Sequence, residues 1–391
     1  MAVRKIKDGI FSVGAIDWDR RLFDELVPLP DGTSYNSYLI KGSEKIALID
    51  TVDFDKEDIL TNHLKKLNVE KIDYIIANHA EQDHSGSIPI ILELFPDAKV
   101  VTNSKCKSML IDLLQISEDK FITVNDGDTI SLGNKTLKFI LAAWVHWPET
   151  MFTYLKEDKI LFTCDFLGSH LATSDLFVTD KAKVYEPAKR YYAEIMMPFR
   201  TPIKKHIEKI SQMGIDIIAP SHGPIYDEPE FIIDAYKKWI SDDVKNEVVI
   251  PYVSMHGSVE KMVNHFADSL IEKGITVKLF NLIKTDIGYL AMSLVDAATI
   301  VIASPTVLVG PHPSVVSAVY LANALRPKTK FASVIGSYGW GGRMIEQIAG
   351  MIPNLKVELL STVLVKGHPK ENDFKLLEKL ADEISEKHKN L

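Results

Sequence analysis

Short apolar runs separated by polar breaks fill the first part of the chain. The runs SYNSYLI, KIALID and YIIA lie between residues 34 and 77, with one helical stretch at about 56–67. Period-two alternation and β-branched residues in such runs predict strands. Further strands are predicted at residues 99–102, 136–142, 152–155, 160–163 and 216–219. This mixture, with helical segments between the strands, predicts two sheets with outer helices.

The pattern changes after the polar run WISDDVKNE at residues 239–247. From there, the strand-like runs VVIPYVS, TVKLF, TIVIASP, KFASVIG and KVELLS alternate with helical patterns that include residues 258–273, 313–325 and 373–389. Strict alternation of strands and helices predicts a parallel, doubly wound sheet. We therefore predict an α/β protein with two domains, residues 1–246 and residues 247–391.

Composition narrows the class of protein. With 391 residues, of which 46% are hydrophobic, the chain can bury more than one core. The net charge of -8 argues against a nucleic-acid binder, so we expect small molecules or proteins as partners. Two cysteines cannot form a disulfide framework or hold an iron-sulfur cluster. There is no signal-peptide pattern and no run of about 18 apolar residues, which predicts a cytoplasmic protein without a membrane span.

A dense group of metal ligands follows the run YIIA. His79, Glu81, Asp83 and His84 lie within six residues. Alternation predicts that the first three share one side of an extended loop and that His84 joins them as the next helix begins. Carboxylates and histidines at the start of a helix can also act only as caps. Three further candidates that end apolar runs, His146, Asp165 and His222, weaken that alternative.

These seven positions resemble the metallo-β-lactamase superfamily, in which an HxHxDH loop, a His, a bridging Asp and a final His hold two metals. Glu81 stands where the hydrolases usually have a second histidine. A carboxylate there adds a hard oxygen ligand and a negative charge. Three carboxylates suit iron that changes oxidation state, whereas zinc does not need them. The sequence therefore favours a non-haem di-iron site over a di-zinc site.

Three segments of the second predicted domain form a candidate phosphate and flavin site. The first follows its first strand and opens a helix with a glycine, a geometry that suits a terminal phosphate. The other two also follow strands, and in a doubly wound sheet such ends line one crevice. Trp340, flanked by glycines, suits an isoalloxazine ring. The candidate cofactor-binding residues are Ser254, Met255, His256, Gly257, Ser258, Val259, Ser304, Pro305, Thr306, Val307, Leu308, Val309, Ser337, Tyr338, Gly339, Trp340, Gly341 and Gly342.

The pattern of this half resembles flavodoxin, and since GxGxxG is absent, the cofactor implied is FMN. A metallo-β-lactamase-like domain with HxExDH followed by a flavodoxin-like domain resembles the flavodiiron proteins over essentially the whole chain. The resemblance implies the seven residues as both catalytic residues and metal ligands. His79, Glu81 and His146 would hold one iron, Asp83, His84 and His222 the other, and Asp165 would bridge them.

The resemblance also implies the reaction and the partners. The family reduces dioxygen to water, nitric oxide to nitrous oxide, or both, and two ferrous ions with one reduced FMN hold the four electrons that dioxygen needs. The electrons would come from an external donor, either a rubredoxin-like protein or a reduced deazaflavin coenzyme. The family arrangement implies a head-to-tail homodimer or a dimer of dimers, in which the flavin of one subunit faces the irons of the other.

Several alternatives stay open at this point. Asp24 stands where many family members have a histidine, so the gas preference does not transfer. His170 either lines the substrate pocket or is a buried supporting residue. The chain could also be a di-zinc hydrolase with a flavodoxin-like regulatory domain, or an electron-transfer flavoprotein with an inactive first domain. The other histidines show no ligand grouping and are predicted to be surface or loop residues: His63, His206, His265, His312, His368 and His388.

Overall fold

The computed structural model describes residues 2–391, and the chain divides into two compact units. The first unit contains the residues up to Tyr192 together with Phe199–Ile240, and the second contains Ala193–Pro198 together with Ser241–Leu391. The predicted domain boundary after residue 246 stays a prediction, and the first strand of the second unit already begins at Lys245.

The first unit is built largely from short strands. They are β1 (Arg4–Lys7), β2 (Ile10–Ser12), β3 (Ala15–Asp17), β4 (Leu22–Phe23), β5 (Val27–Pro28), β6 (Thr33–Tyr35), β7 (Tyr38–Lys41), β8 (Ile46–Ile49), β9 (Tyr74–Ile76), β10 (Lys99–Thr102), β11 (Phe121–Thr123), β12 (Thr129–Ser131), β13 (Thr136–Leu141), β14 (Met151–Leu155), β15 (Ile160–Cys164) and β16 (Ile217–Pro220). Its α-helices are α1 (Glu57–Lys66), α2 (Gln82–Ser85), α3 (Ile88–Leu94), α4 (Ser104–Leu114), α5 (Lys181–Tyr191), α6 (Arg200–Ser211) and α7 (Pro229–Ile240). Between α5 and α6 lie a π-helix (Tyr192–Met196) and a 3-10 turn (Met197–Phe199), of which Ala193–Pro198 belong to the second unit.

Two sheets form the centre of this unit. The first has the order β1-β2-β7-β8-β9-β10-β11 and the second the order β12-β13-β14-β15-β16. One hydrophobic cluster contains side chains of both sheets, for example Ile49 and Phe139. A second cluster packs α1, α3 and α4 on the outer face of the first sheet. Phe152 of β14 contacts His206 of α6, so helices also cover the second sheet. This αββα sandwich is the predicted arrangement of two sheets with outer helices.

The second unit alternates strands and helices. Its strands are β17 (Lys245–Tyr252), β18 (Thr276–Asn281), β19 (Ala297–Val307), β20 (Gly310–Pro311), β21 (Phe331–Tyr338), β22 (Glu358–Leu359) and β23 (Val363–Lys366). Its α-helices are α8 (Ser258–Glu272), α9 (Ile287–Leu294), α10 (Pro313–Leu325), α11 (Met344–Met351) and α12 (Glu371–His388).

The main sheet of this unit has the order β18-β17-β19-β21-β22, and these neighbours pair in parallel. That order is the 2-1-3-4-5 arrangement of flavodoxin-like folds. One core packs α8 and α12 on the sheet, and another packs α9, α10 and α11. The first nine residues of β19 are buried, as expected for a central strand covered on both faces. The predicted doubly wound sheet is confirmed.

Some local predictions differ from the structure. The strands β1 to β5 were not predicted, because runs of two to four residues carry too little periodicity. The prediction of surface or loop positions is wrong for His63, which is buried in α1, and for His388, which is buried in α12. Each lies on the inward face of an amphipathic helix. Among the described residues, no helix is both long and apolar enough to span a membrane.

Candidate metal centre and flavin-binding loops

The dense motif lies at the carboxyl end of β9. His79 follows this strand, Glu81 is the N-cap residue of α2, and Asp83 and His84 belong to α2. The prediction of an extended loop through Asp83 is therefore wrong, because the helix already begins at Gln82. The turn of α2 directs Asp83 and His84 to a different group of side chains from the one that His79 and Glu81 join.

The other three candidates also lie near strand ends. His146 lies between β13 and β14, Asp165 follows β15, and His222 follows β16. Because β15 and β16 are parallel neighbours, their carboxyl ends bring Asp165 and His222 to one edge of the second sheet. The seven candidates thus come from both sheets of the sandwich.

His79, Glu81 and His146 form one group with Asp165, here named the His79 set. Glu81 Oε2 lies 3.0 Å from His79 Nε2 and 3.1 Å from His146 Nε2. Asp165 Oδ2 lies 3.1 Å from His146 Nε2 and 3.4 Å from His79 Nε2. Two imidazole nitrogens and two carboxylate oxygens therefore converge on one point.

Asp83, His84 and His222 form a second group, here named the His222 set. Asp83 Oδ2 lies 3.1 Å from His84 Nε2 and 3.2 Å from His222 Nε2. Asp165 Oδ1 lies 2.7 Å from His84 Nε2 and 3.3 Å from His222 Nε2. One oxygen of Asp165 thus faces each set, which is the arrangement of a carboxylate that bridges two metals.

Buried polar atoms without partners show that this donor set fits metal ions. Within residues 2–391, Asp83 Oδ1 and His84 Nδ1 are buried and have no hydrogen-bond partner. Asp83 Oδ2, His84 Nε2 and Asp165 Oδ1 are also buried, and their close neighbours are other donor atoms of the same site. Leaving such atoms unpaired costs about 1–3 kcal/mol each, and more when the group is charged. Four imidazoles and three carboxylates at two adjacent points are ligands that divalent iron or zinc accepts.

Electrostatics couple the carboxylates and histidines. Burial alone would raise the pKa of Asp165, but the neighbouring histidines, first His84, hold that pKa well below its usual range. Burial opposes protonation of His146 and His222, yet hydrogen bonds to Asp165 and the adjacent carboxylate raise their pKa values to about 9 and about 10. Protons therefore compete with a metal ion for these ring nitrogens, and metal uptake becomes weaker as the pH falls.

Sequence reasoning missed Glu149, which lies behind His79. Its Oε1 accepts hydrogen bonds from His79 Nδ1 at 2.8 Å and from the backbone N–H of Ala80 at 3.0 Å. Glu149 is 2% exposed. The available signal was an acidic residue at the start of the apolar run TMFTYL, where only a partnered carboxylate is tolerated.

His222 has a different outer partner. Its Nδ1 donates to the backbone carbonyl of Ser34 at 2.6 Å, and the hydroxyl of Thr33 lies 3.4 Å away. The same hydroxyl lies 2.8 Å from Nδ1 of His170. Burial, then the charge of His222, holds the pKa of His170 well below its usual range, so His170 is neutral. The structure thus places His170 as a buried neighbour of His222.

Aromatic rings surround His170. The ring centroid of His170 lies 4.6 Å from that of His222, 4.8 Å from that of Tyr191 and 5.2 Å from that of Phe23. Asp24, next to Phe23, is an exposed residue, but its carboxyl group is close enough to the protein for desolvation, followed by the charges of Glu81 and Asp83, to raise its pKa.

The three flavin-loop segments meet at the carboxyl ends of β17, β19 and β21. The hydroxyls of Ser258 and Ser337 lie 2.8 Å apart, and Ser304 pairs with Gly336 in the sheet. Gly257 caps α8 with φ +80, and a side chain added there would meet no atom within 4 Å. The N-terminus of α8 therefore has open space in front of it, which fits a phosphate group.

The structure corrects the extent and exposure of these segments. Residues 304–307 belong to β19 and Ser337 and Tyr338 to β21, so these stretches are strand ends as well as loops. The side chain of Val259 is buried in the core of the unit. Ser304 Oγ is engaged internally, because it accepts a hydrogen bond from the backbone N–H of His312. By contrast, Leu308 is 91% exposed and Trp340 80% exposed.

Comparison with known proteins agrees with both halves of this description. The family model described as "ODP family beta lactamase" matches residues 33–223, and the model described as "Flavodoxin" matches residues 250–379. The structure of rubredoxin oxygen:oxidoreductase from Desulfovibrio gigas superposes with a TM-score of 0.95 at 30% identity, covering 99% of both chains.

Similar curated proteins cover nearly the whole chain. A nitric oxide reductase from Moorella thermoacetica is 36% identical over 97% of this chain and 98% of its own length. A coenzyme F420H(2) oxidase from Methanothermobacter marburgensis is 34% identical over 87% of both chains. Flavo-diiron protein FprA2 from Clostridium acetobutylicum is 33% identical over 98% of this chain and 99% of its own length. With this fold, this order of units and these relatives, the chain belongs to the flavodiiron protein family.

Proposed function

We propose that the protein is an oxidoreductase that reduces dioxygen to water, nitric oxide to nitrous oxide, or both, at a non-haem di-iron site supplied with electrons by FMN. The observation that carries this proposal is the position of Asp165, whose two oxygens face two separate sets of His and carboxylate ligands. The names of the relatives, which include a nitric oxide reductase and a rubredoxin oxygen:oxidoreductase, support the reaction.

In this proposal the His79 set holds one iron, the His222 set holds the other, and Asp165 bridges them. When bound, the metal pair and the flavin supply the electrons and the open coordination positions for the gas. The residues of the chain orient the ligands. Glu149 and the Ser34 carbonyl fix the rings of His79 and His222 from behind, so that Nε2 of each ring points into the site. Neutral His170 adds no charge beside His222.

The FMN assignment rests on the second unit. The N-terminus of α8, opened by Gly257 and flanked by the hydroxyls of Ser254 and Ser258, would hold the phosphate. The segments 304–309 and 337–342 would line the ring, with exposed Trp340 as the flat aromatic beside it. A flavodoxin match over residues 250–379 supports this cofactor.

The partners follow from the relatives. A rubredoxin-like protein or a reduced deazaflavin coenzyme would deliver the electrons, as the names of two relatives state for their own proteins. We further propose a head-to-tail homodimer or a dimer of such dimers, in which each flavin serves the irons of the other subunit. A cytoplasmic location and the boundary between residues 246 and 247 complete the proposal.

The experiment that tests the function combines loading and turnover. The protein is purified anaerobically, reconstituted with Fe(II), and analysed for iron, zinc and acid-released FMN. Consumption of dioxygen and of nitric oxide is then followed with electrodes, using reduced rubredoxin and reduced deazaflavin coenzyme as alternative donors. We expect two irons and one FMN per chain and gas consumption with at least one donor.

The matched control is His265→Gln, which changes a surface histidine that pairs with Glu378 in the second unit. This variant should keep full loading and full turnover. Zinc that persists after iron reconstitution, together with no consumption of either gas, would overturn the proposal and favour a hydrolase.

A further inference from the structure

The outer contacts of the two ligand sets differ in charge. Behind His79 lies a buried carboxylate, because Glu149 Oε1 is 2.8 Å from His79 Nδ1. Behind His222 lies a neutral carbonyl, that of Ser34, at 2.6 Å. Nδ1 of His84 is buried, and no group in residues 2–391 forms a hydrogen bond with it. Among the described residues, Glu149 is the only carboxylate that lies behind one of the four histidines of the site.

Glu149 is held firmly in this position. Its Oε1 also accepts the backbone N–H of Ala80, so one carboxylate oxygen holds both the His79 ring and the backbone of the next residue. Its backbone carbonyl accepts a 2.6 Å hydrogen bond from Asn103 Nδ2, and Asn103 caps α4 through its own side-chain oxygen. The carboxylate cannot turn away from His79 without also losing the hydrogen bond from Ala80, and the Asn103 contact fixes the backbone from which the side chain extends.

The charge of an acceptor behind a ligating imidazole changes the ligand. A carboxylate holds the proton on Nδ1, leaves Nε2 free for the metal, and makes the ring a stronger electron donor. A neutral carbonyl fixes the same tautomer but adds no negative charge. The two sets share Asp165, and each has one further carboxylate, Glu81 or Asp83. Glu149 therefore gives the His79 set one more carboxylate in direct hydrogen-bond contact with a ligand than the His222 set.

We propose that Glu149 is a positioning residue that makes the His79 set the tighter of the two metal sites. This inference rests on the proposed di-metal function and adds an asymmetry to it. The stronger donor also favours the higher oxidation state, so with iron bound the His79 set holds the ion that is oxidised first.

Cobalt(II) titration of the metal-stripped protein tests the affinity. We expect two binding steps in the unsubstituted protein. In Glu149→Gln, which keeps an acceptor oxygen but loses the charge, the tight step should weaken about 10- to 100-fold while the weak step stays unchanged. Glu149→Ala should weaken the tight step further. Equal weakening of both steps, or no change in Glu149→Gln, would overturn the inference.

Two further variants locate the effect. In a His222→Ala background only the His79 set remains complete, and Glu149→Gln should still weaken cobalt binding. In a His146→Ala background the His79 set is incomplete, and Glu149→Gln should have no effect on the remaining binding step. Asp50→Asn is the control for buried charge, because the buried carboxylate of Asp50 accepts hydrogen bonds from the backbone N–H and the side-chain amide of Asn78, which is not one of the seven ligands. A selective loss of the tight step in Asp50→Asn would show that general charge, and not the contact with His79, sets the asymmetry.

A redox readout separates this role from a structural one. In iron-loaded protein, Glu149→Gln should raise the midpoint potential of the iron that is oxidised first, since one negative charge near it is removed. An unchanged potential would contradict the proposal. Binding of fewer than two cobalt ions per chain by the unsubstituted protein would contradict the proposed function together with the role of Glu149. If the unsubstituted protein binds two cobalt ions, and the iron-loaded protein reduces gas, only the role of Glu149 is in question.

Discussion

The metal centre and the flavin loops are built in opposite ways. The metal centre consists of charged side chains that are nearly all buried, such as Asp165 and His222 at 1% exposure, with their donor atoms already converged. The flavin loops consist of glycines, backbone groups and exposed apolar tips, such as Leu308 and Trp340. A metal site must hold several carboxylates close together and away from water, against their mutual repulsion and the cost of desolvation. A site for a large flat ligand can instead use residues that stay exposed to solvent. Substitutions in the two regions should therefore fail in different ways.

The largest effect is expected from Asp165→Asn. Because one oxygen of Asp165 faces each ligand set, the amide removes a charge from both at once. Gas reduction should fall by more than the roughly 10- to 100-fold that an outer-shell substitution costs, and iron content should drop at both sites. The FMN content should stay at one per chain. Metal analysis measures the iron content, and the gas electrode measures the rate of gas reduction. If Asp165→Asn still held two irons per chain, the bridging role of Asp165 would be refuted.

The complementary substitution is Gly257→Asp, which should expel FMN and leave the irons. An aspartate at φ +80 is strained by roughly 1–2 kcal/mol and places a carboxylate against the phosphate. We expect the Kd for FMN to rise at least about 100-fold, since each 1.4 kcal/mol is tenfold. Fluorescence titration of the flavin-free protein gives this constant.

Gly274→Asp is the matched control for this substitution. Gly274 follows the other end of α8, has φ +74, and also has no atom within 4 Å of an added side chain. It carries the same backbone strain and the same new charge without facing the candidate phosphate site. An equal loss of FMN in both variants would refute the phosphate-loop assignment.

A mixture of Asp165→Asn chains and Gly257→Asp chains tests the proposed dimer. Asp165→Asn chains keep the flavin and Gly257→Asp chains keep the irons, so neither homodimer is active. In a head-to-tail heterodimer, one intact flavin faces one intact metal pair. Random co-assembly should therefore restore about a quarter of the unsubstituted activity. If each flavin serves the irons of its own chain, the mixture should be as inactive as the separate variants.

The smallest effect is expected at His388, which supports the core of the second unit and touches neither site. Its ring bridges Thr299 and Asn246 at 2.7 Å each, and burial lowers its pKa to about 4. Because this pKa lies below that of the unfolded chain, the unfolded state binds more protons between about pH 4 and 6.5. The contribution to stability is therefore complete above this window and is lost as the pH falls through it.

Hydrogen exchange of α12 at pH 7 and pH 5 measures this effect. For the unsubstituted protein the opening free energy should fall by about 1 kcal/mol more than for His388→Gln, after allowance for the partial exposure of the ring. The Gln variant keeps hydrogen-bonding groups but does not titrate. Parallel pH dependence of both proteins would show that another group is responsible.

Much of the fold could be predicted from the sequence because its elements carry strong periodic signals. The predicted helix at residues 313–325 has the observed bounds, and the strands YIIA and TIVIASP lie where expected. The hairpin of β4 and β5 could not be predicted, since each strand has only two residues, too few to show a period of two. The inward-facing His63 and His388 were misplaced for a related reason, because local pattern does not show which polar side chain finds a buried partner.

The sequence by itself determined which ligand types exist and in what order, because metal chemistry restricts them to a few residue types and parallel strands bring their carboxyl ends to one edge. Only the tertiary structure decided how these ligands divide into two sets. The early start of α2 sends Asp83 and His84 to His222, and Asp165 lies between the groups. The tertiary structure alone also put Glu149 behind His79, across 70 residues of chain. Such contacts depend on how the two sheets pack, and no local pattern of hydrophobic and polar residues encodes that packing.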